Sequence, residues 1–140
     1  MKKSARKKLE DKVWDECRRI IREAYPNECY TCGATNLEGS NWQTGHGKPK
    51  GALILKYKYD LRNLRPQCMR CNVHLGGCTD IFLALLEEEN GEGLEFLNEA
   101  CYKTEEGYWK VKGGEIMGGK DATYFLEQLL EEYKLITFED

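Results

Sequence analysis

Cys29-Tyr-Thr-Cys32, then Gly45-His46-Gly47, then Asn63-Leu-Arg-Pro-Gln-Cys68-Met-Arg-Cys71-Asn72-Val-His74 is the stretch around which the chain is organised. Two Cys-x-x-Cys pairs are separated by 35 residues, and His46, one of two histidines in a chain of 140, lies between them. Two cysteines spaced in this way can grip one tetrahedral ion, and two such knuckles complete a four-sulfur shell. The spacing therefore predicts zinc held by Cys29, Cys32, Cys68 and Cys71. A redox dithiol or buried free thiols would suit a single pair better than two. A shell closed by four thiolates has no position for water, so such an ion is structural. Chemistry would then fall to the side chains that it holds in place.

Composition sets the scale around this centre. With 41% hydrophobic residues the chain is the size of one domain, with a core modest enough to gain from a metal staple. No apolar segment follows the basic start at Met1-Lys-Lys-Ser-Ala-Arg, as a secretory leader would require, and no apolar run reaches membrane-spanning length. Seven cysteines, an odd number, then predict reduced thiols in a cytoplasm.

The net charge of −3 conceals an uneven distribution. Residues 1–25 carry +4 and residues 41–78 carry +6, whereas residues 79–140 carry −11. Positive charge thus surrounds the cysteine and histidine stretch, as a polyanion-binding face would require, although solvated surface gives the same pattern.

Taken in order, Leu9, Val13, Cys17, Ile20 or Ile21, and Ala24 recur with helical period over 4–25, and Pro26 stops the run. A turn-rich link follows the first knuckle. Asn41–His46 reads as a short strand ending on the histidine. Alternation of Leu55, Tyr57 and Tyr59 with Lys56 and Lys58 predicts a second strand over 52–59 with the lysines outward. Asn72 and His74 open a short helix that Gly76-Gly77 ends. Thr79 or Asp80 caps a further helix with Ile81, Phe82, Leu85 and Leu86 inward. Residues 94–102 read as helix, 108–117 as a hairpin and 122–136 as a last amphipathic helix. The class is α+β, organised as one domain over 1–140: a basic helix (1–26), a zinc-bound finger (27–78) and an acidic, mainly helical region (79–140).

At His46, Asn63 and Asn72 the chain resembles the HNH, or ββα-metal, nuclease superfamily. There a histidine ends a strand, an asparagine lies on the next loop, and a metal-binding residue opens a helix. More closely it resembles the phage NinG/Rap recombination endonuclease family, through Cys29 and Cys32, Gly45-His46, Asn63, Gln67-Cys68, Cys71-Asn72, His74 and Gly77. The likeness covers most of the chain and is most specific over about 9–90. Endonuclease VII of phage is a more distant likeness.

The resemblance implies a ββα-metal finger flanked by the N-terminal and C-terminal helices, and metal-assisted hydrolysis of a DNA phosphodiester. His46, kept neutral by a backbone carbonyl, would be the general base. Asn72 would give an oxygen to one Mg²⁺ or Mn²⁺ ion, His74 would assist it, and Asn63 would hold the loop that carries His46. Lys48, Lys50, Arg62, Arg65 and Arg70 would contact phosphates. The partner would be branched or recombination-intermediate DNA, and a symmetric junction would suit a homodimer formed through the apolar faces of 81–97 or 122–136. Gly45 departs from the pattern, because many HNH enzymes carry an aspartate there as a second metal ligand. Cys78 replaces an asparagine common among relatives and is taken as inert. The competing reading is a non-catalytic zinc module that binds nucleic acid or a protein.

Overall fold

A computed structural model of the chain describes residues 3–48, 58–90, 101–103, 109–111 and 119–138, with side chains left undescribed for 101–103, 109–111 and 119–121. Helix α1 spans Ala5–Ala24. Its start is fixed by Ser4, whose hydroxyl accepts from the Lys7 amide at 3.1 Å, and its end by the extended Tyr25 before Pro26. Val13, Cys17, Ile20 and Ile21 form its buried stripe as the period predicts, whereas Ala24 is exposed.

Strand β1 (Gln43–His46) pairs antiparallel with β2 (Leu64–Gln67), with Thr44 opposite Pro66 and His46 opposite Leu64. The predicted second strand, 52–59, lies for 52–57 outside the described residues, and the strand that pairs with β1 is β2. Of 52–59 only Lys58, which is helical, and Tyr59, which begins a turn and is buried against α1, are described. The true partner strand was hidden because all four residues of β2 are buried, so it lacks the alternation that marks a half-exposed strand. Pro66 is tolerated because its carbonyl, not a ladder N–H, faces the knuckle and accepts from Tyr30 N at 2.8 Å.

After β2 the chain winds through a π-helical turn, Arg70–His74, so Asn72 lies inside a helical segment and not at its start. Helix α2 (Thr79–Asn90) follows. It buries Phe82 and Leu86, while Ile81, expected inward, is 51% exposed. Strands β3 (Cys101–Lys103) and β4 (Trp109–Val111) form a second two-stranded antiparallel sheet. Cys101 and Tyr102 are thus strand where helix was expected, and 94–100 lie outside the described residues. Helix α3 (Gly119–Lys134) closes the order and packs on α1.

The buried residues divide into two groups. Val13, Cys17, Ile20 and Ile21 of α1 pack with Leu126, Leu130 and Tyr133 of α3 and with Tyr59 and Leu64. Leu37 packs with Cys29, Cys68 and Cys71, against which Trp42 and Cys78 lie. The architecture is mixed helix and small antiparallel sheets. Among the described residues no helix is long and apolar enough to cross a membrane.

Candidate metal centre and the adjoining histidine cavity

The four cysteines converge. All four Sγ atoms lie within 4.8 Å of one another, and Cys32 Sγ is 3.7 Å from Cys68 Sγ. Four ligands at a zinc–sulfur distance of about 2.3 Å would be separated by about 3.8 Å. The first knuckle is shaped by Gly33, at φ +81°, whose amide returns to Cys29 O at 2.9 Å. In the second, the Cys71 amide points at Cys68 Sγ at 3.5 Å.

Electrostatics calls for a cation here. Burial opposes ionisation of Cys29, but the amides of Cys68, Cys32 and Thr31 and the Thr31 hydroxyl outweigh it and bring this thiol down to about 6. Cys71 goes the other way, pushed up by burial and by the neighbouring sulfurs. Four thiolates thus need a positive charge among them. The set could hold a metal ion such as zinc.

Beside this cluster lies a cavity of about 390 Å³. His46 and Asn72 both line it, together with Thr44, Gly76, Gly77 and Thr79, while α1 and the turn after it contribute Lys7, Glu10, Asp11, Trp14, Lys58 and Tyr59. His46 Nε2 is 2.9 Å from Lys58 O. A carbonyl can only accept, so Nε2 carries the hydrogen and, in a neutral ring, the lone pair is on Nδ1. Trp14 stacks on the imidazole, with centroids 5.2 Å apart and planes 8° from parallel.

The turn that supplies the carbonyl is itself held by α1. Glu10 Oε1 accepts from Tyr59 OH at 2.8 Å and from Lys58 Nζ at 3.1 Å. Burial works against the Glu10 carboxylate, yet these two donors hold its pKa below the ordinary value. Burial and Glu10 in turn push the Tyr59 phenol up.

Asn63 is fully buried and clamps the segment after β1. Its Oδ1 accepts from Lys48 N at 2.8 Å, its Nδ2 donates to Lys48 O at 3.0 Å, and its own carbonyl accepts from Gly47 N at 2.9 Å. Gly47 is needed there, because a Cβ would stand 2.7 Å from Leu86 Cδ1 and 2.9 Å from Asn63 Oδ1. Asn72 donates to Gln43 Oε1 at 2.8 Å.

Other expected site residues lie elsewhere. His74 is exposed and is not in the cavity wall, since a step of two residues along a helical turn leads to another face. Arg65, expected on phosphate, is 3% exposed. Its guanidinium pairs with Glu89 at 3.0 Å, donates to Leu64 O at 2.7 Å and lies over Tyr25 and Tyr30, so it belongs to the scaffold. Arg62 is exposed and chelates Asp60. Lys48 is half-buried, Arg70 is exposed, and Lys50 lies outside the described residues.

Gly45 explains its own departure from the resemblance. A Cβ at this position would overlap the amide oxygen of Gln67, a fully buried side chain tied to Gly77 O at 2.9 Å and Thr31 Oγ1 at 3.0 Å. Trp14, Glu10, Gln43 and Lys58 were missed as site residues. Trp14 and Glu10 sit far from the motif in sequence, and the carbonyl of Lys58 has no sequence signal at all.

An α+β chain with a four-cysteine cluster suited to a metal ion, set against a cavity that holds a carbonyl-anchored histidine, defines the class. The family model described as bacteriophage lambda NinG protein matches residues 1–107, and the chain belongs to that phage recombination-associated family. No curated protein and no solved structure matches it.

Proposed function

We propose that the protein is a metal-dependent DNA endonuclease of the HNH type, acting on branched or junction DNA in phage recombination. The observation that carries this reading is that His46 and Asn72 line one cavity while His46 Nε2 is committed to a carbonyl. A purely structural ribbon needs neither. In this reading β1, β2 and the turn carrying Asn72 are the ββα-metal finger, and zinc at the four cysteines fixes their relative positions.

Nδ1 of His46 takes a proton from the attacking water, a role worth about 10² to 10⁴ in rate. Asn63 keeps the β1 end rigid, so the imidazole meets the phosphate in one orientation. The Asn72 amide oxygen would hold Mg²⁺ or Mn²⁺, which when bound supplies positive charge to the scissile phosphate and leaving oxygen. Magnesium keeps several waters and accepts few protein ligands, so a site without an acid at position 45 suits it. Lys7 and Lys58 in the wall, together with Lys48, Arg62 and Arg70, are the phosphate contacts of this reading.

The test is nicking of supercoiled plasmid and of a four-way junction in Mg²⁺ or Mn²⁺. Wild type is expected to cut and Asn72→Ala to lose at least tenfold. A wild type inert on linear, supercoiled and junction DNA in both metals would overturn the reading in favour of a non-catalytic zinc module.

A further inference from the structure

A side-chain amide offers a cation either an oxygen or only N–H groups, so Asn72 is useful to a metal in one of its two orientations. That orientation is set by a relay that begins outside the cavity. Ser40 presents a backbone carbonyl, which can only accept, and Gln43 Nε2 donates to it at 2.8 Å. The Gln43 amide is thereby turned with Oε1 away from Ser40. Oε1 in turn can only accept, and Asn72 Nδ2 donates to it at 2.8 Å. Reversing either amide would set oxygen against oxygen. Asn72 lines the cavity and Gln43 does not, and with Nδ2 engaged by Gln43 the amide atom that remains to Asn72 is Oδ1.

We propose that Gln43 is a positioning residue for divalent-cation binding: through Ser40 O and its own amide it holds Asn72 with the oxygen turned to the His46 cavity. The inference rests on the reading that Asn72 is a cation ligand and adds the device that makes a neutral amide serve as one. Partners that orient a ligand in this way typically change metal affinity by about 10- to 100-fold when removed. Gln43 is half-buried on β1 and touches no reacting atom, so it acts through Asn72 alone.

The test is Mn²⁺ binding to the full-length, zinc-loaded protein, followed by the loss of free-ion paramagnetic resonance signal. Gln43→Met keeps the length of the side chain and removes both amide functions. It is expected to weaken Mn²⁺ binding by about tenfold or more, with zinc content unchanged. Asn72→Asp in that background should restore binding, because a carboxylate has an oxygen on either side and needs no orienting partner. A Gln43→Met protein that binds Mn²⁺ like wild type, or a double variant as weak as Gln43→Met, would overturn the inference while leaving the nuclease reading in place. A wild type that takes up no Mn²⁺ would overturn both. A measurement that needs no variant accompanies these: the Asn72 Nδ2 protons should exchange slowly with solvent in nuclear magnetic resonance spectra, and fast exchange would contradict the relay.

Discussion

His46 shows how much a single ring depends on distant parts of the chain. Its tautomer is set by Lys58 O, twelve residues on, and its plane by Trp14 from α1. An aromatic stack of this kind contributes about 0.5 to 1.5 kcal/mol beyond its burial. Trp14→Ala should therefore lower nicking by about 2- to 10-fold, with Trp14→Phe keeping most of it, when rates are compared at saturating DNA. Asn63→Ala strands two backbone groups of Lys48. Urea unfolding should show a loss of about 2 to 6 kcal/mol, given about 1 to 3 for each group left unpaired. The places of His46 and Asn63 were legible through the resemblance alone: the histidine does end a strand, and Asn63 does hold the segment that follows it. Arg65 was not, since a lone arginine beside a basic loop looks the same whether it meets phosphate or, as here, Glu89 and two tyrosines.

At the level of elements, the β1–β2 hairpin is closed by side chains as much as by its ladder. Gln67 fills the space over Gly45, so placing a carboxylate side chain at this position should cost stability. Gly45→Asp should lower the melting temperature, and adding Gln67→Ser should recover part of the loss by making room. An additive double variant would mean that the overlap with Gln67 is not the cause.

Helix α1 is joined to the site through Glu10. Its carboxyl is held below its ordinary pKa in the folded protein, so its contribution is present above the unfolded value and fades as pH falls through the folded one. Urea titrations from pH 7 down to pH 3 should show wild type losing more stability than Glu10→Gln. Parallel curves would contradict a stabilising Glu10–Tyr59–Lys58 group. Helices α1, α2 and α3 were legible from their period, whereas Cys101 and Tyr102, read as helix on the same ground, are strand. β2 was not, because residues buried on both faces carry no alternation, and neither was the role of α1, because pairing between a helix and a turn some 45 residues away leaves no local pattern.

The whole molecule joins two small buried groups, one built by α1 and α3 and one by sulfur. The second contains few large apolar side chains, so a metal ion held by the four cysteines would supply what apolar burial cannot. Chelation or Cys68→Ser should expose the amides around Cys29, Cys68 and Cys71 to hydrogen exchange before those in the middle of α1. Simultaneous exposure would mean that the groups fold as one. The cysteine spacing made the metal centre the most legible feature of all, since two knuckles admit few other uses. The division of labour between sulfur cluster and histidine cavity is the claim on which the rest depends, and His46→Ala tests it most directly when zinc content and plasmid nicking are measured on the same preparation. The protein should retain its full zinc complement and lose nicking by about 10² or more. Undiminished nicking, or zinc lost along with the histidine, would contradict it.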